Sequence, residues 1–278
     1  MYLEKIAVRI ILSVSSDIGT ALAKEWVKNG EAIVGTYRTW SANCEELLQV
    51  GVTLIKCDFT SKKSIIKAFR KIPKLEPWTV LVMAAGDQKP IGLFRETSFD
   101  EWENSFQANF LGMLRTLHSL MKSRRHSESA TVIFFAGGGT NNATERYSAY
   151  TISKIASIKL CELLDFEESR IKFVILGPGW VKTKIHQDTL DNPKSAGLNF
   201  DRTLKMIQSS EMNPMSKVLE FCNWVIFQPK EIVSGRNFSV VFDRWGTAEL
   251  NSALTLNSNL YKLRRYGNDI SFPERPIR

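Results

Sequence analysis

A chain of 278 residues with 44% hydrophobic composition has the material for one large α/β domain or two small ones, and its ordinary composition excludes fibrous and disordered classes. The net charge of +8 is spread out, and its densest knots (Lys122, Arg124, Arg125 and His126, then Arg264 and Arg265) read as solvated helix ends, so nucleic acid is not an expected partner. Four scattered cysteines, only three histidines and no apolar run near the ~18 residues of a membrane helix exclude a zinc pattern, a disulfide framework and a membrane span, and a reduced, cytoplasmic chain is expected.

Short apolar runs alternate with amphipathic helical stretches from start to finish. The run at 6–14, IAVRIILSV, is interrupted by Arg9 and leads directly into a helix at Ile18–Lys28, so it reads as a first strand rather than a leader. Strands follow at Ala32–Tyr37, Thr53–Cys57, Thr79–Ala85, Thr131–Phe135, Lys172–Leu176 and Asn237–Phe242. Between them the periodicity predicts helices at Ala42–Gln49, Lys62–Lys71, Phe99–Arg124, Tyr147–Glu168 and Met215–Phe227, with a polar, lid-like segment over 182–213. This alternation predicts a doubly wound parallel sheet of about seven strands in a three-layer αβα domain spanning 1–244. Residues 245–278 then form an extension whose aromatic and leucine content predicts packing on the domain or on a partner subunit, with Pro273 and Pro276 marking an irregular terminus.

In such sheets ligands bind beyond the carboxyl ends of the strands. After the first strand, LSVSSDIG offers the hydroxyls of Ser13, Ser15 and Ser16 and a helix start at Ile18–Gly19, which could hold a phosphate or form an ordinary N-cap; Asp17 caps the helix but repels phosphate. After the second strand Arg38 stands where enzymes specific for NAD place an acid, and a guanidinium there suits the 2′-phosphate of NADP. Asp58 follows the third strand, placed either for an adenine amino group or for helix capping with Thr60 and Ser61. After the fifth strand, Tyr150 and Lys154 are one helical turn apart on one face. An ammonium beside a phenol favours the phenolate and moves its titration toward neutrality, which suits proton exchange with a carbonyl oxygen.

These positions together resemble the short-chain dehydrogenase/reductase family in its short single-domain form, from about Lys5 to Asp243. LSVSSDIG resembles the family's TGxxxGIG with only Ile18–Gly19 intact, and Met83-Ala84-Ala85-Gly86 stands for Asn-Asn-Ala-Gly. Asn109 in QANFLG, Tyr150 to Lys154 as YxxSK, and Pro178 to Thr183 as PGxVxT match more fully, and Gly235 to Asp243 is similar to the family's closing strand. The resemblance implies a Rossmann-type sheet, a nicotinamide cofactor (NADP(H) preferred over NAD(H)) and a homodimer or homotetramer. It implies Tyr150 as proton donor or acceptor, Lys154 on the nicotinamide ribose and Asn109 holding a relay water. Ala85, Gly86, Pro178, Gly179, Val181 and Thr183 line the cofactor, the last two fixing the carboxamide.

One departure matters. The family's catalytic serine falls at Gly137, inside three consecutive glycines. Thr140 or Asn141 could replace its hydroxyl, the glycine could make room for a bulky substrate, or catalysis could be lost. Gln88, Lys89, Asn141, Asn142, Tyr147, Trp180 and His186 are the expected substrate-lining residues, a polar set that fits a small hydroxylated, sugar-derived molecule; His186 is either exposed or a second acid/base. The leading expectation is an NADP(H)-dependent carbonyl reductase or alcohol dehydrogenase. A non-catalytic nucleotide-binding scaffold and a sugar-nucleotide epimerase or dehydratase are the alternatives.

Overall fold

Strands whose successive residues are all buried must be covered on both faces. The central strands of this chain have that character, and the computed structural model, which describes residues 7–70, 78–123 and 129–265, shows how they are covered. The first half runs β1 (Val8–Leu12), α1 (Asp17–Lys28), β2 (Ala32–Tyr37), α2 (Ala42–Gln49), β3 (Thr53–Lys56), α3 (Lys62–Phe69), β4 (Trp78–Met83), α4 (Phe99–Phe106) and α5 (Gly112–Ser123). The second half runs β5 (Ala130–Phe135), α6 (Ser148–Glu167), β6 (Ile171–Gly177), α7 (Gln187–Leu190), α8 (Pro193–Ala196), α9 (Leu198–Gln208), α10 (Met215–Phe227), α11 (Lys230–Val233), β7 (Arg236–Ser239) and α12 (Ala248–Leu256). The strands form one sheet in the order β3-β2-β1-β4-β5-β6-β7, and every neighbouring pair is parallel.

Side-chain alternation divides the strands between two cores. Ile10, Leu81, Val132 and Phe173 face one core with residues of α3, α5 and α6; Ile11, Val82, Ile133 and Val174 face the other with residues of α1, α2 and α10. Trp26 of α1 anchors the second core, fully buried, with its Nε1–H donated to Asn223 Oδ1 at 2.8 Å. The doubly wound, three-layer sheet expected from the sequence is therefore observed.

Three elements differ from the expectation. The long helix after β4 is divided by a π turn at Gln107–Leu111, which carries the buried Asn109. Here the helix meets the turn after β3: a Cβ on Gly112 would lie 2.1 Å from Phe59 O, and Gln107 Nε2 donates to the same carbonyl at 3.2 Å. The 182–213 segment is largely helical rather than loop-like, because Ala196 and Phe200 join Ile91 and Tyr147 in a third small core that a mostly polar sequence concealed. Finally, β7 stops at Ser239 instead of Phe242, where Ser239 N–H donates to Asp243 Oδ2 at 2.7 Å and Phe242 N–H to Ser239 Oγ at 3.1 Å.

Beyond β7 the chain returns to the sheet. Trp245, Leu250, Leu254, Leu260 and Tyr261 pack into the second core, and Asn237 N–H of β7 donates to Tyr261 O at 2.8 Å. The buried Arg236 guanidinium donates to the carbonyls of Leu254, Asn257 and Leu260 at 2.7, 3.2 and 2.7 Å, capping the end of α12. Arg124, Arg125 and His126 of the basic knot, Lys5, Lys71, Tyr266, Pro273 and Pro276 lie outside the described residues.

Because the atom facing Gly112 belongs to the backbone, Gly112→Ala must move the helix off the turn. A loss of about 1–3 kcal/mol in stability is expected, read as a lower urea midpoint with unchanged slope.

Candidate active site

The switch point of the sheet lies between β1 and β4, where Leu12 is paired with Met83. The loop leaving β1 keeps a tight turn into α1 despite its lost glycines. Ser13 adopts the left-handed region at φ 61°, held by its N–H to Thr36 Oγ1 at 2.9 Å. Ser16 caps α1 through Gly19 N–H at 3.1 Å. Gly19 is needed there, since a Cβ would stand 2.7 Å from Ser13 O. The N–H groups of Asp17 and Ile18 have no partner among the described residues, so the first turn of α1 keeps two free donors.

Asp17 does not point at an empty loop. Its Oδ2 accepts the N–H of Lys184 at 2.6 Å, and Lys184 Nζ donates to Ser15 O at 2.7 Å. The segment after β6 is thus tied to the loop after β1 by a lysine that the sequence reading missed; its only signal was the position next to Thr183. Arg38 is exposed at the end of β2 near Trp40, which meets Tyr37 edge-on at 5.3 Å, and Asn43 Nδ2 donates to Ser15 O at 3.3 Å. Asp58 Oδ1 accepts both the N–H and the hydroxyl of Thr60, at 3.0 and 2.8 Å, and α3 is capped by Ser61, whose Oγ accepts Ser64 N–H at 3.2 Å.

At the head of α6, Tyr150 and Lys154 are 7% and 3% exposed. The Lys154 ammonium lies 5.3 Å from the centre of the Tyr150 ring and 3.5 Å from Ala85 O. Burial dominates both titrations: it pushes Tyr150 up to about 12 and brings Lys154 down to about 8. The sequence reading expected the tyrosine to move toward neutrality. The direction is the reverse here, because the cation faces the ring and desolvation outweighs its attraction for a phenolate. Asn109, brought inward by the π turn, holds the loop after β4: its Oδ1 accepts Asp87 N–H at 2.9 Å, and its Nδ2 donates to Asp87 O and Ser105 Oγ at 2.8 and 3.1 Å.

Several expected substrate residues are already engaged. Thr140 donates its hydroxyl to Gly137 O at 3.2 Å. With the exposed Asn141 it lines an open cavity of about 390 Å³ that neither Tyr150 nor Lys154 borders. Tyr147 is buried with its hydroxyl 2.8 Å from Thr189 Oγ1, which donates to Gln88 Oε1 at 3.0 Å, and Lys89 pairs with Asp188 at 3.2 Å. These contacts tie α7 to the loop after β4, so Tyr147 contributes to closure. His186 is not exposed: it stacks on Trp180 at 5.1 Å and places Nε2 at 2.9 Å from Val181 O, an N–H donor arrangement, and burial lowers its titration. Arg202 of α9 lies 5.8 Å from the same Trp180 ring. In the PGxVxT turn, Gly179 is left-handed at φ 76°, Asn213 holds the carbonyls of Pro178 and Trp180 (both 2.7 Å), and Val181 is buried beside the half-buried Thr183. Ile185 reaches over Gly86, 3.4 Å from where a Cβ would stand.

A parallel sheet of this order, with a buried tyrosine–lysine pair at its carboxyl edge, defines an oxidoreductase domain of the Rossmann type. The profile of the short chain dehydrogenase family matches residues 7–194, and the chain belongs to that family. It is 27% identical over 201 residues to an oxidoreductase of Schizosaccharomyces pombe, an alignment covering 70% of this chain and 80% of the other. Among solved structures, the fold is similar to an actinorhodin polyketide ketoreductase with NADPH (TM-score 0.71, 21% identity, 84% of this chain and 95% of that one). It is also similar to an NAD+-bound xylitol dehydrogenase (TM-score 0.73, 16% identity, 84% and 96%). Among the described residues no helix is long and apolar enough to cross a membrane, and no cluster of side chains could hold a metal ion.

Lys154 titrates near 8 in the folded chain, below the ordinary 10.5, so between these values the unfolded chain binds more protons and this group adds stability as pH rises. That contribution is lost as pH falls through about 8, where the ammonium is buried charged. Lys154→Met is therefore expected to raise the urea midpoint at neutral pH, with the gain over wild type shrinking toward pH ~10.

Proposed function

We propose that this chain is an NADP(H)-dependent carbonyl reductase, or in reverse an alcohol dehydrogenase, acting on a small polar, sugar-derived substrate. The observation that carries the reading is the buried Tyr150–Lys154 pair at the carboxyl edge of the sheet. A dinucleotide suits the residues around it. Ser13 supplies a glycine-like turn, Asp17 and Ile18 offer free N–H groups, and Arg38 is exposed for a 2′-phosphate. Asp17 alone opposes a phosphate, and its carboxylate is already satisfied by Lys184.

Ser13, Ser15, Ser16 and Ile18 would hold the diphosphate, Asp58 the adenine, and Ala85, Gly86, Pro178, Gly179, Val181 and Thr183 the nicotinamide half. The bound cofactor supplies or accepts a hydride. The chain's own part is the proton. Tyr150, held protonated well past neutrality by burial, keeps its proton on Oη for delivery to a carbonyl oxygen. Lys154, within a few pH units of losing its own proton, stands behind the ring to resupply it. Asn109 fixes the loop after β4, whose Ala85 carbonyl receives the Lys154 ammonium. Reduction is the direction this protonation state favours near neutral pH. The helices over 182–213 form the substrate lid, fastened through Tyr147, Thr189 and Gln88. Residues 1–244 act as one catalytic domain, and the protein works as a homodimer or homotetramer.

Titration of nucleotide fluorescence tests the cofactor. NADPH should bind at least ~10-fold more tightly than NADH, Arg38→Ala should abolish the difference, and Asp17→Gly should tighten both. Equal affinity for the two nucleotides would reject the role of Arg38. Tyr150→Phe should lower turnover by ~100-fold or more with NADPH affinity nearly unchanged. NADPH binding without turnover of any carbonyl in a broad panel would point instead to a nucleotide-binding scaffold.

A further inference from the structure

The glycine at position 137 is occupied space. A Cβ there would lie 2.4 Å from Tyr150 Oη, 2.6 Å from Cε1 and 2.7 Å from Cζ. All three atoms belong to the rigid Tyr150 phenol, so the overlap is relieved only by moving the whole ring. The backbone is held on both sides of the contact. On the strand side, Ala136 N–H is bonded to Leu176 O at 2.8 Å, and Gly137 O accepts the Thr140 hydroxyl at 3.2 Å. On the helix side, Thr151 N–H donates to Tyr147 O at 2.9 Å and Ser153 Oγ to Tyr150 O at 2.6 Å.

We propose that Gly137 is the seat of the Tyr150 ring, so that the tyrosine hydroxyl stands on the ground a serine side chain would need, and a single hydroxyl serves this site. Gly137 is then a positioning residue and not the trace of a lost activity. Two of the neighbouring hydroxyls are engaged elsewhere. Thr140 is bonded to Gly137 O and Tyr147 to Thr189, while Thr144 and Thr151 each lie 3.0 Å from where a Cβ of Gly139, two residues past the seat, would stand. Gly138 is different: nothing stands within 4 Å of its Cβ position, so a side chain is accommodated there and not one residue earlier.

The seat follows from packing alone, whereas the use of its hydroxyl rests on the reductase reading above. The tests separate the two. The first is a double-mutant cycle in urea. Gly137→Ser should lower the unfolding midpoint in the wild-type background and have little effect alongside Tyr150→Ala, and Gly138→Ser should have little effect in either. If Gly137→Ser alone fails to fold, recovery of folding in the double variant supports the seat. An equal cost of Gly137→Ser with and without the tyrosine overturns it. The second test uses ring-labelled tyrosine NMR, with the Tyr150 signal assigned by its loss in Tyr150→Phe. Gly137→Ser should move or broaden that signal and Gly138→Ser should leave it in place; an unmoved signal in Gly137→Ser overturns the proposal. The third is kinetic. Introducing the family's serine should lower kcat by ~10-fold or more with NADPH affinity unchanged, and a rise in kcat would show that the serine's place was vacant. Should wild type turn over no carbonyl, the reductase reading fails while the cycle and the ring signal still decide the seat.

Discussion

A buried ammonium is among the costliest groups a fold can hold, and Lys154 is 3% exposed. Much of the carboxyl edge is arranged around it. α6 turns a polar face inward at its head, where Tyr150, Ser153, Lys154 and Ser157 are buried, and an apolar one further on at Ile158 and Cys161. The two serines satisfy themselves on the helix's own carbonyls, Tyr150 O and Ser153 O, and so leave the lysine to find a partner elsewhere. That partner is Ala85 O, in a loop that Asn109 holds by both backbone groups of Asp87. Asn109 in turn faces inward because the helix takes an additional residue into one turn at Gln107–Leu111. A charge in one helix is thus linked to an irregularity in another.

The sheet was legible in the sequence because burial on both faces leaves continuous apolar runs, as in the ATVIFF of β5, and these need only length and spacing to be recognised. Glycines were legible in part. Gly19 could be assigned to the helix start from its motif, but Ser13 takes a left-handed backbone without being glycine, held by Thr36 from a strand that sequence spacing does not bring near. The tyrosine's titration was misjudged for a related reason. Helical spacing puts Lys154 beside Tyr150 but does not say whether the cation meets the hydroxyl or the ring, nor how much water remains. Tyr147 was expected at the substrate from its place beyond β5, and the fold adds what spacing does not show, the Thr189 hydroxyl 2.8 Å from its own. The helices over 182–213 were hidden because they are short and bury few residues each, so their periodicity never rises above that of a polar loop.

The loop after β1 shows how far a motif can erode while its geometry persists. Two glycine positions have become Ser13 and Asp17, yet the helix start and its free N–H groups remain. The added carboxylate is met by a backbone N–H from Lys184, so the change is balanced locally. Position 137 differs in kind. There the smaller residue is filled by a neighbour's ring, and a motif comparison that counts the missing hydroxyl records a deficit where the packing records a fit.

The extension after β7 has a consequence at the margin of the sheet. An open parallel sheet ends in two exposed strands, each a template for the strand of another molecule. At one margin β3 is only Thr53–Lys56, too short to template much. At the other, β7 gives Asn237 N–H to Tyr261 O, and its Arg236 gathers three carbonyls from the same segment. The added residues act as a selvedge: they pair one backbone N–H of β7 and are themselves fastened to that margin by the Arg236 side chain.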